Sequence, residues 1–444
     1  MAGSFHLISL GCAKNLVDSE VMLGALAACR YELENEIEQA DFLIVNTCGF
    51  IQPAVEEAIA EILELVALKE QFPTKKIVVV GCLVQRYGKS LATELPEVDL
   101  FIGTEGPARI GKLLDALVKD DEMEKVVLPE RYLMDSNSPR ILSTPRYRAW
   151  LKITEGCNNR CSYCMIPSIR GKLRSRRGGD LIAEAVHLEK MGVKELSLIA
   201  QDSTAYGNDL GKSDSLENLM NGLLSSTSIP WFRLLYLYPT GVTDRLLDLI
   251  AENERIVPYL DIPFQHVNDR VLGLMNRPYG HDFLVRLVEK IRAKIPNIAL
   301  RTTFLVGFPG ETEAEFLQIE KFLQEIQLDH VGVFPYTNEE GAPSENFTGQ
   351  LDDAEKIRRM EHLLQIQAPL SQALQQKYIG QVLPVLVEGV SSETDLLLEG
   401  RTMYQAPEVD GRVYINDGMA QSGDIVQVEI TDAQIYDLVG GIVV

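Results

Sequence analysis

Ala149-Trp150-Leu151-Lys152-Ile153-Thr154-Glu155-Gly156-Cys157-Asn158-Asn159-Arg160-Cys161-Ser162-Tyr163-Cys164 is the stretch on which the reading of this chain turns. Ala149 to Thr154 reads as a buried strand. Cys157, Cys161 and Cys164 follow it directly, so three thiolates share one loop at the carboxyl end of that strand. Three thiolates cannot complete a 4Fe-4S cluster, whose irons usually take four cysteines, so one iron is left open to a small molecule. A structural zinc site asks for four ligands in paired units. Here there is one triplet with no adjacent fourth cysteine, and the histidines lie elsewhere, at 6, 187, 266, 281, 330 and 362.

Outward from this loop the pattern repeats. Strands are predicted to begin near Ala149, Glu195, Phe232, Tyr259, Ala299 and Val331, each followed by a loop and usually by a helical period. Six such units predict a partial (β/α)6 barrel, whose site lies at the carboxyl ends of the strands. Before it, residues 131–147 are polar and punctuated by Pro139 and Pro145, as a linker would be. Upstream, apolar runs at Phe5–Leu10, Asp41–Asn46, Lys76–Val80 and Val98–Ile102 alternate with helical stretches at Asp18–Arg30 and Pro53–Lys69. That alternation predicts a doubly wound parallel sheet. After Lys377, short β-rich runs at 382–387, 396–398, 412–415 and 425–430 predict a small all-β barrel. The expected fold class is therefore α/β with three domains, at 1–135, 145–373 and 377–444. A chain of 444 residues agrees, being too long for one ordinary core.

Cys12, Cys48 and Cys82 each follow a predicted strand: Leu10-Gly11-Cys12, Asn46-Thr47-Cys48 and Val80-Gly81-Cys82. Loops at the carboxyl ends of a parallel sheet converge on one crevice. A second three-thiolate metal site is expected there. Three buried small apolar side chains would be the plainer explanation, but the same position after three successive strands argues against coincidence. Cys29, beside Ala27 and Ala28 in a helix, reads as packing.

The C-x3-C-x2-C loop resembles the radical S-adenosylmethionine (SAM) superfamily signature. Together with Gly11-Cys12-Ala13-Lys14-Asn15, Asn46-Thr47-Cys48, Gly81-Cys82 and the C-terminal β run, the whole chain resembles the methylthiotransferases. That resemblance implies two 4Fe-4S clusters, one on Cys157, Cys161 and Cys164 and one on Cys12, Cys48 and Cys82, with SAM as cofactor and a TRAM-like C-terminal domain. The first cluster would chelate SAM and yield a 5′-deoxyadenosyl radical; the second would carry the sulfur. The activity implied is replacement of C–H by C–SCH3. For SAM contacts the resemblance points to Tyr163 against the adenine, Gln201 at the end of the second barrel strand, and Gly307 and Glu311 in the Gly-Phe-Pro-Gly-Glu turn. This chain lacks the family's usual Gly-Gly-Glu at Gln201-Asp202. The turn also reads as an ordinary strand-to-helix connection with Glu311 as an N-terminal acid.

Charge bears on the substrate. The family modifies either adenosine in tRNA or the β-carbon of an aspartate in a small-subunit ribosomal protein. The chain carries a net charge of −22. From Gln381 onward its only bases are Arg401 and Arg412, against eleven acids. An RNA-docking barrel needs a basic face, whereas a basic ribosomal protein would be steered by opposite charge. Direct nucleic-acid binding is not expected. Gln405-Ala406-Pro407-Glu408-Val409-Asp410-Gly411 also resembles the protein-modifying branch, although Pro, Asp and Gly equally favour a turn. Against this stands the basic run Arg170, Lys172, Arg174, Arg176 and Arg177, which could meet RNA phosphate or the carboxylates of SAM and substrate. An iron–sulfur redox carrier would need fully coordinated clusters and no SAM pocket. No run reaches the roughly 18 apolar residues of a membrane span, and Met1–Leu10 lacks a basic leader. A cytoplasmic enzyme is expected, served by an electron donor such as a flavodoxin.

Overall fold

The computed structural model describes residues 3–119, 123–211 and 213–443. Its first sheet contains β1 (Ser4–Ser9), β2 (Glu32–Leu33), β3 (Phe42–Thr47), β4 (Lys76–Gly81), β5 (Leu100–Ile102) and β6 (Val126–Val127). The order is β2-β1-β3-β4-β5-β6, with every neighbour parallel. Burial on both faces explains the unbroken apolar runs. Leu43 and Val45 pack under α2 (Gln52–Gln71) and α3 (Cys82–Glu94), while Ile44, Val78 and Val80 pack under α1 (Ala13–Ala28) and α4 (Ile110–Lys119).

Two details differ from expectation. First, α1 begins at Ala13 and not at Asp18, because Asn15, Asp18, Ser19 and Glu20 are buried together with Val17 and Val21. A helix buried on polar and apolar sides alike shows no clean stripe. Second, β2 and β6 are two residues long each, too short to carry a period.

The central sheet holds β7 (Arg148–Lys152), β10 (Glu195–Ile199), β11 (Trp231–Leu234), β12 (Ile256–Asp261), β13 (Ala299–Val306) and β14 (His330–Pro335), with the ribbon β8 (Thr154–Glu155) and β9 (Arg174–Ser175) beside it. Its order is β14-β13-β12-β11-β10-β7, parallel throughout. Among the described residues β7 and β14 do not pair, so the barrel is partial. The other two units close over its inner face. Val17 and Val21 of α1 meet Trp150, Ile199, Trp231 and Tyr259 there, with Leu386 and Ala406 from the C-terminal region.

That region is a closed barrel, β15 (Val382–Val390), β16 (Leu398–Thr402), β17 (Val413–Asp417), β18 (Ile425–Ala433) and β19 (Leu438–Ile442), in the order β15-β16-β17-β19-β18. β19 escaped the sequence reading because Gly440 and Gly441 look like a turn. Their bareness is instead a packing demand, since a Cβ on Gly440 would stand 2.3 Å from the Glu429 carbonyl oxygen.

Ion pairs lock the units together. Glu195 of β10 binds Arg233 of β11 at 2.6 Å and Arg401 of β16 at 2.6 Å. The Gln405–Gly411 segment is more than a turn: Asp410 accepts from the Tyr259 hydroxyl at 2.7 Å inside the partial barrel and lies 3.4 Å from Arg301. Residues 131–147 carry neither helix nor strand but do not hang free. Arg140 grips Glu20 of α1 at 2.6 Å, and the Ile141 amide donates to the Glu20 carbonyl. Among the described residues no helix is long and apolar enough to cross a membrane.

Candidate functional site

Gly11 and Gly81 show how three loops come to one place. Their φ values, +89° and +107°, lie where side chains are rarely tolerated. A Cβ on Gly11 would stand 2.8 Å from the Cys48 Cβ, and one on Gly81 would stand 2.6 Å from the Thr47 carbonyl oxygen. The glycines let the loops after β1, β3 and β4 touch, and each loop delivers its cysteine at the contact. Gly81→Ala is expected to destabilise the fold by about 1–3 kcal/mol through forced φ and crowding. Urea unfolding of the apo chain measures it, and an unchanged midpoint would contradict the account.

Cys12, Cys48, Cys82, Cys157, Cys161 and Cys164 all line one cavity of ≈ 480 Å³ between the first sheet and the carboxyl ends of the barrel strands. Cys29 lies apart, against the backbone of α4, where a Cβ on Gly111 would meet its sulfur at 2.6 Å. Tyr163 and Gln201 also line the cavity. Gly307 and Glu311 do not. Their turn is covered by the helix Asp353–Gln375: Lys356 Cγ would lie 2.5 Å from a Cβ on Gly307, and Arg359 donates to Glu311 at 2.8 Å. Burial pushes the Glu311 carboxyl up to about 6 although Arg359 opposes it.

The donor set suits iron–sulfur clusters. Soft thiols in two incomplete triplets are what such clusters take. Burial pushes the thiols of Cys82 and Cys164 up to about 12 and that of Cys157 to about 11. Left alone they would stay protonated at neutral pH, and only a bound cation makes thiolates of them. Cys12 is more open, and there the desolvation by surrounding protein is outweighed by Lys14 and Arg170, so its thiol falls below the ordinary value. Among the described residues no three His, Cys, Asp or Glu side chains are placed to hold a single metal ion. A four-iron cube offers its irons at separate corners and does not ask its thiolates to converge on one point.

Three lining residues were not legible as site residues. Arg277, 113 positions beyond Cys164, donates to the hydroxyls of Tyr163 at 2.6 Å and Tyr279 at 2.9 Å. Tyr236 and Gln265, just past β11 and β12, hold φ of 59° and 71° in the left-handed region. No sequence signal marks such strain when the residue is not glycine. Gln201 Nε2 donates to Glu155 at 3.2 Å, while Gln201 Oε1 and Arg277 Nε are buried without partners among the described residues. A ligand bearing both an amine and a carboxylate would answer both.

The basic run resolves into internal braces. Arg170 binds Asp18 at 2.9 Å and Glu155 at 3.1 Å and donates to the Cys82 sulfur at 3.2 Å. Arg174 pairs with Glu105, and Arg176 with Asp180 and Glu184. Only Lys172 and Arg177 are exposed. The carboxylates that Arg170, Arg174 and Arg176 serve are the protein's own.

Comparison with known proteins agrees with this geometry. Residues 4–103 match the uncharacterized protein family UPF0004, residues 151–323 the radical SAM superfamily and residues 379–443 the TRAM domain. The ribosomal protein uS12 methylthiotransferase RimO of Desulfotalea psychrophila is 63% identical over 439 residues, covering 99% of each chain. The protein of the same name from Syntrophotalea carbinolica is 47% identical over 98% of this chain and 96% of its own. Among solved structures, the radical S-adenosylmethionine methyltransferase TsrM of Kitasatospora setae, with cobalamin and a 4Fe-4S cluster bound, aligns with a TM-score of 0.58 at 16% identity, over 78% of this chain and 77% of its own. The cobalamin-dependent radical enzyme OxsB aligns at 0.52 and 13% identity, over 81% of this chain and 56% of its own. These two show the fold alone.

A doubly wound sheet and an open parallel barrel that face each other across six thiols, with a small β-barrel behind, are the architecture of a radical SAM methylthiotransferase. Full-length identity at this level narrows the class. The chain belongs to the RimO family of methylthiotransferases.

Proposed function

We propose that this enzyme replaces C–H by C–SCH3 at the β-carbon of an aspartate in a small-subunit ribosomal protein, the uS12 for which its relatives are named. The observation that carries the reading is the sharing of one cavity by both cysteine triplets. Cys157, Cys161 and Cys164 would hold the cluster next to SAM, and Cys12, Cys48 and Cys82 the cluster that receives sulfur. When bound, these groups supply the electron that splits SAM and the sulfur that is transferred. The rest falls to the chain. Arg170, tied to Asp18 and Glu155, fixes the Cys82 loop against the barrel. Gln201 and Arg277 offer an acceptor and a cation for the amino-acid end of SAM, and Tyr163 an aromatic face for its adenine.

The division at 1–135, 145–373 and 377–444 follows from this assignment of tasks. Charge supports a protein substrate. Arg401 is buried on Glu195 and Arg412 is paired with Glu399, so the small barrel presents acids outward and no basic face. A cytoplasmic setting with reduced thiols suits the clusters, as does an electron donor such as a flavodoxin. Mass spectrometry after incubation of the reduced, reconstituted enzyme with ribosomal proteins and with tRNA tests the proposal. A gain of SCH2 on uS12 alone is expected, and the same gain on tRNA alone would overturn it.

A further inference from the structure

Three cations line the cavity: Lys14, Arg170 and Arg277. Arg170 is answered by Asp18 and Glu155. Arg277 is wrapped by phenol hydroxyls on the side of the Cys157–Cys164 loop. Lys14 differs from both. It lies in the first turn of α1, two residues past Cys12, and is only 9% exposed. Its ammonium stands 3.5 Å from the centroid of the Tyr236 ring and 3.4 Å from the Ala200 carbonyl oxygen. No carboxylate among the described residues comes within ion-pair distance of it: Asp18 in the same helix is taken by Lys152 and Arg170, while Asp261 and the Cys12 thiol draw on it only through space. An ammonium has three donors, so a single long bond leaves two unused. A buried ammonium with no carboxylate in contact is costly unless a ligand supplies one.

Its position tells which ligand. Lys14 starts from the loop of the first triplet and reaches across to the ends of β10 and β11, so its head lies in the cavity that both triplets line. Tyr236 holds its ring beneath that head from a left-handed backbone, φ 59°, with its amide bound to Asp261 at 3.1 Å. A ring face attracts an ammonium without neutralising it. The lysine is thereby aimed but remains charged.

We propose that Lys14 receives the side-chain carboxylate of the substrate aspartate and makes the enzyme choose aspartate over asparagine. The proposal rests on the reading above that the substrate is a protein aspartate. A carboxylate clamped there is held by a charge-assisted bond, and the carbon beside it is presented to that cavity. An asparagine amide has the same shape but brings no charge to answer the ammonium.

The test uses the full-length, anaerobically reconstituted enzyme and recombinant uS12 in two forms, natural and with the modified aspartate changed to asparagine. Affinities are read by fluorescence anisotropy. The wild-type enzyme is expected to bind the aspartate form about 10–100-fold more tightly, the range of a hydrogen bond to a charged group. In Lys14→Met that preference should fall to about 2-fold or less, through loss of the aspartate form alone. Lys14→Arg should keep most of the preference; if the methionine variant does not fold, Lys14→Gln against Lys14→Arg makes the same comparison. Undiminished preference in Lys14→Met or Lys14→Gln would overturn the assignment. So would undiminished preference with reduced iron content, which would make Lys14 a counter-ion of the Cys12 triplet. A wild-type enzyme that binds both forms equally and modifies neither would instead refute the substrate reading itself.

Discussion

Cys161→Ala is expected to abolish 5′-deoxyadenosine formation and methylthio product together, whereas Cys48→Ala is expected to spare SAM cleavage and stop sulfur transfer. The asymmetry follows from where the thiols are mounted. Cys161 belongs to the single loop between β8 and β9, with Tyr163 and Arg277 at its side. Cys48 follows β3 in the other sheet and touches the Cys12 loop through Gly11. Removing one thiolate from a set of three leaves too few to retain a cluster, while the other set is built on separate strands. Iron should fall in each variant from about eight to about four per chain, one four-iron cluster being lost. Chromatography of 5′-deoxyadenosine, mass spectrometry of product and an iron assay give the three readings. Methylthio product from Cys48→Ala, or SAM cleavage by Cys161→Ala, would refute the division of labour.

Glu195→Gln is expected to cost about 3–5 kcal/mol of stability, because it removes the one carboxylate shared by two buried guanidiniums. Glu195, Arg233 and Arg401 are 1%, 0% and 2% exposed. Arg233 also donates to the Met403 carbonyl, and Arg401 retains the Gln405 carbonyl and, as its only other carboxylate, the partly exposed Glu388. The neutral amide keeps the shape and loses the charge, so both arginines remain buried with too little to answer them. Burial by itself would raise the Glu195 carboxyl, but Arg401 and Arg233 outweigh it and hold it down to about 2. A folded-state value below the unfolded one stabilises the protein above the unfolded value, near 4.3 for a free glutamate. The contribution is lost as pH falls from there through about 2. The gap between wild type and Glu195→Gln in chemical denaturation should therefore be full at pH 7 and still present at pH 5, and it should close toward pH 2. A gap that narrowed between pH 7 and 5 would contradict this origin.

Much of this molecule is legible without coordinates because its strongest signals are local. The Cys157–Cys164 spacing, the glycine–cysteine pairs after apolar runs and the alternation of strand with helix depend on neighbours a few residues away. Long buried strands such as β3 and β4 announce themselves for the same reason. What failed to show was short or set by distant partners. β2, β6 and β19 exist because a neighbouring strand offers its edge, and α1 lost its stripe because two units bury it at once.

By itself, then, the sequence determined the three-part architecture, the two incomplete thiol triplets and the acidity of the last barrel, all properties of residue type and short spacing. Tertiary structure decided the rest. It brought six cysteines from four loops into one cavity and turned Arg170, Arg174 and Arg176 of the basic run onto Asp18, Glu155, Glu105 and Glu184. It placed Asp410 inside the partial barrel and left the Lys14 ammonium without a carboxylate at ion-pair distance among the described residues. The reason is physical. Which charge meets which depends on distances in space and not along the chain, as with Arg170 and Asp18, 152 residues apart, and a side chain carries no mark in the sequence of the partner that folding brings to it.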